Sequence, residues 1–271
     1  MTTLQKIIKY LAFAFAVFLA ISIIGGILGA VGLFGSLFDG EAIAEDAKTY
    51  SLSSQIQHLD IQINAADLYI KEADAFSVES NLQHLTVEEK GGVLILRDTQ
   101  KFVKSYNGAM LTIYVPTGTV FDTVDITTGA GKLTIGTLSA GNLELELGAG
   151  DVSIDSLTAT KSADIEGGAG RITISGGALK DLELEMGVGQ LNLTSALTGS
   201  CQLDLGVGES NLTIIGNRED YKLDLEKGIG SITVDGKNAA DFGSSGNGTH
   251  KLKIHGGIGS IRVDFTDENE V

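Results

Sequence analysis

The chain has one cysteine, one proline and no tryptophan in 271 residues. A lone Cys201 excludes an internal disulfide, and no lipidation signature follows the N-terminal apolar stretch. With no tryptophan and six tyrosines, there is little material for an aromatic sugar-stacking groove. Basic charge is also scarce: 19 Lys and Arg stand against 35 Asp and Glu, a net charge of −16. Two of those cations, Lys6 and Lys9, precede the apolar stretch, so the rest of the chain is more acidic still. Such a surface argues against nucleic acid and anionic lipid as partners and leaves cations and basic partners open. His58, His84, His250 and His255 are scattered. The last two, five residues apart, fall on opposite faces of a strand and are expected as exposed polar positions. No GxSxG elbow and no Cys-His grouping is present.

Glycine, by contrast, is abundant, with 36 residues, and much of it falls in one recurring phrase. GAGKLTI from Gly129 is followed by GAGDVSI from Gly148, GAGRITI from Gly168, GVGQLNL from Gly187, GVGESNL from Gly206, GIGSITV from Gly228 and GIGSIRV from Gly257. The spacings are 19, 20, 19, 19, 22 and 29 residues. A period near 20 marks a repeat architecture whose units stack on one another. The glycines are not a phosphate cradle. Around Gly129-Ala130-Gly131-Lys132 the first P-loop glycine falls on Ile126, and Leu133 stands where Ser or Thr is required. Nor is Gly167-Gly168-Ala169-Gly170 a calcium nonapeptide, whose aspartate position is Ile172 here.

The neighbours of the phrase say what it does. Leu143, Leu145 and Leu147 alternate with Glu144, Glu146 and Gly148, whereas after Gly150 the apolar positions are Val152 and Ile154. Strand periodicity holds on both sides, but its parity slips by one residue at Gly150-Asp151. Such a slip is what a bulge or sharp corner produces. Two arrangements fit: a solenoid with parallel stacked strands, or an antiparallel meander with GxG hairpins. Tight hairpins prefer Asn-Gly or Asp-Gly. The middle residue here is Ala130, Ala149, Ala169, Val188, Val207, Ile229 or Ile258, which favours the solenoid and predicts a buried, stacked corner. Cys201 takes the place of Leu143 and Leu182 and is expected as a buried small hydrophobe. Seven coils about 4.8 Å apart give a rod about 34 Å long.

The expected fold is therefore all-β: a single-chain β-solenoid of about 20 residues per coil with seven regular coils, an irregular β cap, and one N-terminal transmembrane helix. Residues 10–38 carry no charge and exceed the ~20 residues that span a bilayer. The cations before this run and the acids after it (Asp39, Glu41, Glu45, Asp46) put the remainder outside the cytoplasm. The rival reading is a signal peptide cleaved at Ala42-Ile43-Ala44, against which stands the length of the run. The expected organisation is a cytoplasmic tail (1–9), a signal-anchor (10–38), a linker (39–49), an irregular cap (50–128), the regular solenoid (129–265) and an acidic tail (266–271). Within the cap, Asn64 to Ile70 looks like a degenerate corner, Val87 to Leu96 reads as a hairpin around Gly91-Gly92, and Leu111 to Pro116 as a strand. Residues 236–250 are expected as a loop projecting from the last coils.

The run LTIYVPTGTVFDTVDITTGAGKLTI from Leu111, the serial GAG and GVG units and the ending GGIGSIRVDF from Gly256 resemble the bacterial "putative adhesin" family of β-strand repeats, over roughly residues 55–265. The resemblance implies an envelope-anchored protein of a family some of whose members are linked to envelope-stress operons and with which no catalytic residues are associated.

Chemistry, if any, lies in the outward columns. The fourth residue before each first glycine is Asp125, Glu144, Asp164, Glu183, Gln202, Asp224 or Lys253, and the second is Thr127, Glu146, Glu166, Glu185, Asp204, Glu226 or His255. In a solenoid these become two acidic ladders. Glu144, Glu146, Asp164, Glu166, Glu183, Glu185 and Asp204 are the candidate metal ligands, for Ca2+ or Mg2+, since carboxylates are hard oxygen donors; no other cofactor is expected. The milder column Thr134, Ser153, Thr173, Asn192, Asn211, Thr233 and Arg262 is a sheet stabiliser. The expected function is a non-enzymatic, membrane-anchored interaction or scaffold surface at the cell envelope. Its partner would be an envelope protein, a glycan or a cationic peptide. The alternatives are cation or cationic-peptide sensing through the ladders and, less in keeping with acids that belong to the repeat, a polysaccharide-active enzyme.

Overall fold

A computed structural model of the chain describes residues 47–53, 55–99, 108–238 and 246–267. They belong to one compact unit, Ala44–Val271. The apolar run 10–38 lies outside the described residues, among which no helix is long and apolar enough to cross a membrane. The strands are β1 (Lys48–Ser51), β2 (His58–Ala65), β3 (Asp67–Ala73), β4 (Ser77–Ser80), β5 (Leu85–Lys90), β6 (Val93–Asp98), β7 (Met110–Pro116), β8 (Phe121–Ile174), β9 (Gly177–Lys180), β10 (Leu182–Thr198), β11 (Ser200–Ile215), β12 (Tyr221–Glu226), β13 (Ile229–Val234), β14 (Lys237–Asn238) and β15 (His250–Thr266). The GxG coils pair in parallel and in register: Glu183 lies between Asp164 and Gln202, and Gly189 between Gly170 and Gly208. The chain is a β-solenoid, and the meander is excluded.

Each GxG phrase is a corner at which the strand continues without a break, so β8 winds through three coils as one run of 54 residues. The second glycines hold φ between +130° and +152°, a region L-residues avoid. A methyl group on Gly150, Gly170, Gly189 or Gly208 would meet the carbonyl oxygen of the corner glycine in the preceding coil. The corners thus stack backbone on backbone. Beside them the burial pattern slips as predicted: Leu143, Leu145 and Leu147 are buried before the corner, and Val152 and Ile154 after it. Asn64 to Ala66 is the expected corner copy, with Ala65 in register with Ala130. Alanine fits at position 66 because Ala66, unlike the second glycines of the other corners, does not have a positive φ.

The corner's middle residue differs from expectation. Ala149 is exposed, Val188, Val207 and Ile258 are half-buried, and Ile229 keeps 46 % of its surface. These residues register on one another from Ala169 through Val188, Val207 and Ile258 to Ile229. They shed water by packing coil on coil along the rim rather than by entering the core. The core has instead a further apolar column, Ala159, Leu179 and Leu197, aligned by the short pairings of β9 with β8 and β10. Cys201 is buried as expected and donates to the Thr198 carbonyl. Burial pushes its thiol pKa up, which keeps it unreactive.

Coil order does not follow sequence order at either end. The β2–β3 coil lies between β6–β7 and the start of β8. Likewise β15 lies between β11 on one side and β12 and β13 on the other. The 29-residue spacing carries the chain back to this inner place; of the loop expected over 236–250, residues 239–245 lie outside the described residues. After β13 the chain makes the β14 hairpin, and Gly246 and Gly248 pack on Asp220 and Tyr221 as it re-enters. The exposed edges gain antiparallel partners: β5 covers β6, β4 covers β7, β1 covers β4, and β14 covers the end of β13. The β5–β6 hairpin is the one predicted around Gly91-Gly92. These partners are the usual remedy for an open sheet edge.

Candidate functional site: an acid-walled groove

Alternation within each strand sends every second side chain outward. The parallel register then stacks these outward residues along the rod about 4.8 Å apart. All seven candidate carboxylates fall in the two predicted columns. Glu144, Asp164 and Glu183 follow Asp60 and Asp125 in the first, and Glu146, Glu166, Glu185 and Asp204 succeed one another in the second. Beside the second column runs an open groove of about 670 Å³. Its wall is Glu146, Glu166, Glu185 and Asp204, and its floor is the backbone of the first corner glycines. Leu147, Met186 and Leu205 line it beside the glycines, and Thr127 and His255 line it beyond the four acids.

The ladder does not continue in sequence order, and this is a correction. Because β15 is inserted, His255 stands between Asp204 and Glu226, and Lys253 between Gln202 and Asp224. His255 Nδ1 meets Asp204 Oδ1, and its buried Nε2 lies 3.7 Å from Glu226 Oε2. His255 is therefore part of the column rather than an idle exposed position. At the other end Arg97 pairs with Asp60. The run of like charge is bracketed by cations at both ends.

Electrostatics follow the geometry. Partial burial, then the charges of Asp60 and Glu146, raise the Asp125 pKa. Partial burial, followed by Asp125, Asp164, Glu146 and Glu166, raises that of Glu144. Burial works to raise Asp204 as well, but hydrogen bonds from Gln202 and His255 and the charges of His255 and Lys253 outweigh it and lower its pKa. A carboxyl whose pKa is raised on folding costs stability once ionised, and the cost is relieved as the pH falls through its folded value. Asp204 has the opposite sign: its contribution is present above the ordinary aspartate range and is lost as the pH falls through its depressed value. Glu144→Gln is accordingly expected to raise the unfolding free energy at pH 7, and Asp204→Asn to lower it, each by under about 1 kcal/mol. Both differences should shrink towards pH 3. Two variants shifting in the same direction at pH 7 would contradict the ladder.

Among the described residues, no three His, Cys, Asp or Glu side chains converge as a metal-holding group. The carboxylates form a line, and Asp204 is occupied by Gln202 and His255. In the milder column Asn211 Nδ2 donates to Asn192 Oδ1 at 3.2 Å, and Arg262 stands between Asn211 and Thr233. Thr134 Oγ1, at the other end of that column, is buried without a hydrogen-bond partner, so the side-chain ladder joins only part of it.

The family model described as Toastrack DUF4097 matches residues 54–264. The chain belongs to this family. Solved structures similar to this Toastrack chain include a "putative adhesin" from Bacteroides fragilis, at 14 % identity over 80 % of this chain and 95 % of that one, with a TM-score of 0.46. Another "putative adhesin", from Parabacteroides distasonis, is 16 % identical over 82 % and 98 % of the two chains, with a TM-score of 0.47. A "putative lipid binding protein" from the same species is 13 % identical over 81 % and 97 %, with a TM-score of 0.38. None of the curated proteins matches the chain. The resemblance drawn from the Leu111–Ile135 run and the GxG units is thus met at the level of family.

Proposed function

We propose that this Toastrack protein is a non-enzymatic interaction protein of the bacterial envelope. Residues 10–38 hold it in the cytoplasmic membrane as a single-pass anchor, and the solenoid is displayed outside, with the envelope-stress response as its setting. The observation that carries the reading is the acid-walled groove: one chemical pattern repeated in register over successive coils. Repeated weak contacts of this kind add up along a rigid rod, and the sign of the wall selects cationic segments of an envelope protein or peptide. The acids are part of the repeat rather than breaks in it, which supports a display role over a catalytic one.

The test is binding of an oligolysine peptide to the full-length chain at low and high salt. Glu146→Gln/Glu166→Gln/Glu185→Gln should weaken binding about tenfold at low salt and little at high salt, while stabilising the free solenoid. Unchanged binding by the triple variant would overturn the reading. A second reading, divalent-cation sensing, is supported by the stacking of Asp125, Glu144, Asp164 and Glu183, where partial burial first and neighbouring carboxylates second raise the pKa of Asp125 and Glu144. It requires calcium or magnesium at about 1 mM, the upper range of weak extracellular sites, to raise the melting temperature. No shift would remove it and leave the first reading standing.

A further inference from the structure

The last two coils are near copies. Lys222–Val234 reads KLDLEKGIGSITV and Lys251–Val263 reads KLKIHGGIGSIRV, identical at eight of 13 positions. Their buried faces are interchangeable: Leu223, Ile232 and Val234 in one match Leu252, Ile261 and Val263 in the other. Their corners are identical. Within these 13 positions, hydrophobic burial and corner geometry give no reason for β15 to lie inside and the β12–β13 coil outside; beyond them β15 adds Phe265, on Ile214, where the other coil has Gly236. Chain connectivity argues the other way, because the sequential order needs no long return.

Four of the five differences are Asp224 against Lys253, Glu226 against His255, Lys227 against Gly256 and Thr233 against Arg262; the fifth, Leu225 against Ile254, is aliphatic in both. In the observed order Lys253 separates Gln202 from Asp224, and His255 separates Asp204 from Glu226. In the sequential order Glu226 would stack directly on Asp204. Lys227 adds a second reason. It occupies the position that is buried as Leu147, Met186 and Leu205 in other coils, yet it is exposed at the end of the stack. At Gly256 the same space is taken by the Ile261 side chain. An inner β12–β13 coil would press the Lys227 ammonium against Leu205, and burying an unpaired charge is costly.

We propose that coil order at the C-terminal end is encoded by charge: Lys253 and His255 key β15 into the slot between β11 and β12, and Lys227 holds the neighbouring coil outermost. The key also sets the length of the acidic run, which stops at Asp204. Once β15 is seated, Tyr221 packs between His250 and Phe265, with ring centroids 5.5 and 5.2 Å away.

Exchanging the three keyed positions tests this in the full-length chain: Asp224→Lys, Glu226→His and Lys227→Gly together with Lys253→Asp, His255→Glu and Gly256→Lys. The reporters are cysteine pairs. Asn211→Cys with Arg262→Cys joins neighbouring coils in the native order. Asn211→Cys with Thr233→Cys spans two coil steps, about 10 Å, beyond the reach of a disulfide. The native chain should form only the first cross-link and the exchanged chain predominantly the second. An exchanged chain that still forms the first would overturn the proposal. Should the exchanged chain fail to fold, a milder series decides. Lys253→Glu/His255→Gln should speed amide exchange in 250–266 about tenfold while 182–198 stays protected, and adding Asp224→Lys should reverse much of that gain. Unchanged exchange, or no rescue, would equally overturn it.

Discussion

Gly189→Ala should cost the solenoid at least about 3 kcal/mol in denaturant unfolding, a large loss for one methyl group. Two effects combine. Gly189 has φ +146°, and a non-glycine residue held in a sparsely allowed region costs about 1–3 kcal/mol. The added methyl also runs into the Gly170 carbonyl, so coils must separate at the corner and backbone hydrogen bonds between β8 and β10 are stretched. Two controls separate corner geometry from a general effect of glycine replacement. Gly136→Ala meets nothing nearer than the Ile70 oxygen at 4.0 Å and should change stability by no more than about 0.5 kcal/mol. Ala66→Gly reverses the exchange where alanine already fits and should lose up to about 1 kcal/mol through backbone entropy. If Gly189→Ala and Gly136→Ala behaved alike, the stacked corner would not be what holds the coils together.

The corner was legible in the sequence because two periodicities meet there. Leu143 to Leu147 and Val152 to Ile154 are each plain strand patterns, and only a turn with a one-residue slip joins them. Fixed spacing then placed the acidic columns, since outward residues of successive coils must align. The side column Ala159, Leu179 and Leu197 was less visible, because the short third side buries only a residue or two per coil, some of them alanine or serine. The middle corner residues misled for a different reason. An apolar residue repeated at a fixed place need not be inside; Val188, Val207 and Ile258 gain by packing on one another at the rim. The order of the last coils could not be read from the hydrophobic pattern of the two 13-residue copies, because both present the same buried face. The signal was a lysine and a histidine, Lys253 and His255, in columns otherwise acidic or polar, together with a 29-residue gap too long for one coil.

Leu184→Ala should cost about 2–5 kcal/mol, the range for truncating a fully buried leucine. Leu184 has no exposed surface and registers on Ile165 below and Leu203 above, so neither coil can close the cavity without leaving its own ladder. The consequence should be less local than the lesion. In a solenoid, stability is a sum of coil and nearest-neighbour terms, and a weak coil in the middle divides the array. Amide exchange should therefore speed up across β10 and its two neighbours, β8 and β11. The same truncation at Leu252, also buried, should free β12, β13 and β15 while β10 stays protected. The two variants also bear on function. Glu166, Glu185 and Asp204 form one wall because β8, β10 and β11 keep register, so Leu184→Ala should weaken oligolysine binding at temperatures where Leu252→Ala leaves it intact. Equal loss of binding from both would mean that the contact face reaches beyond Asp204 into the keyed end.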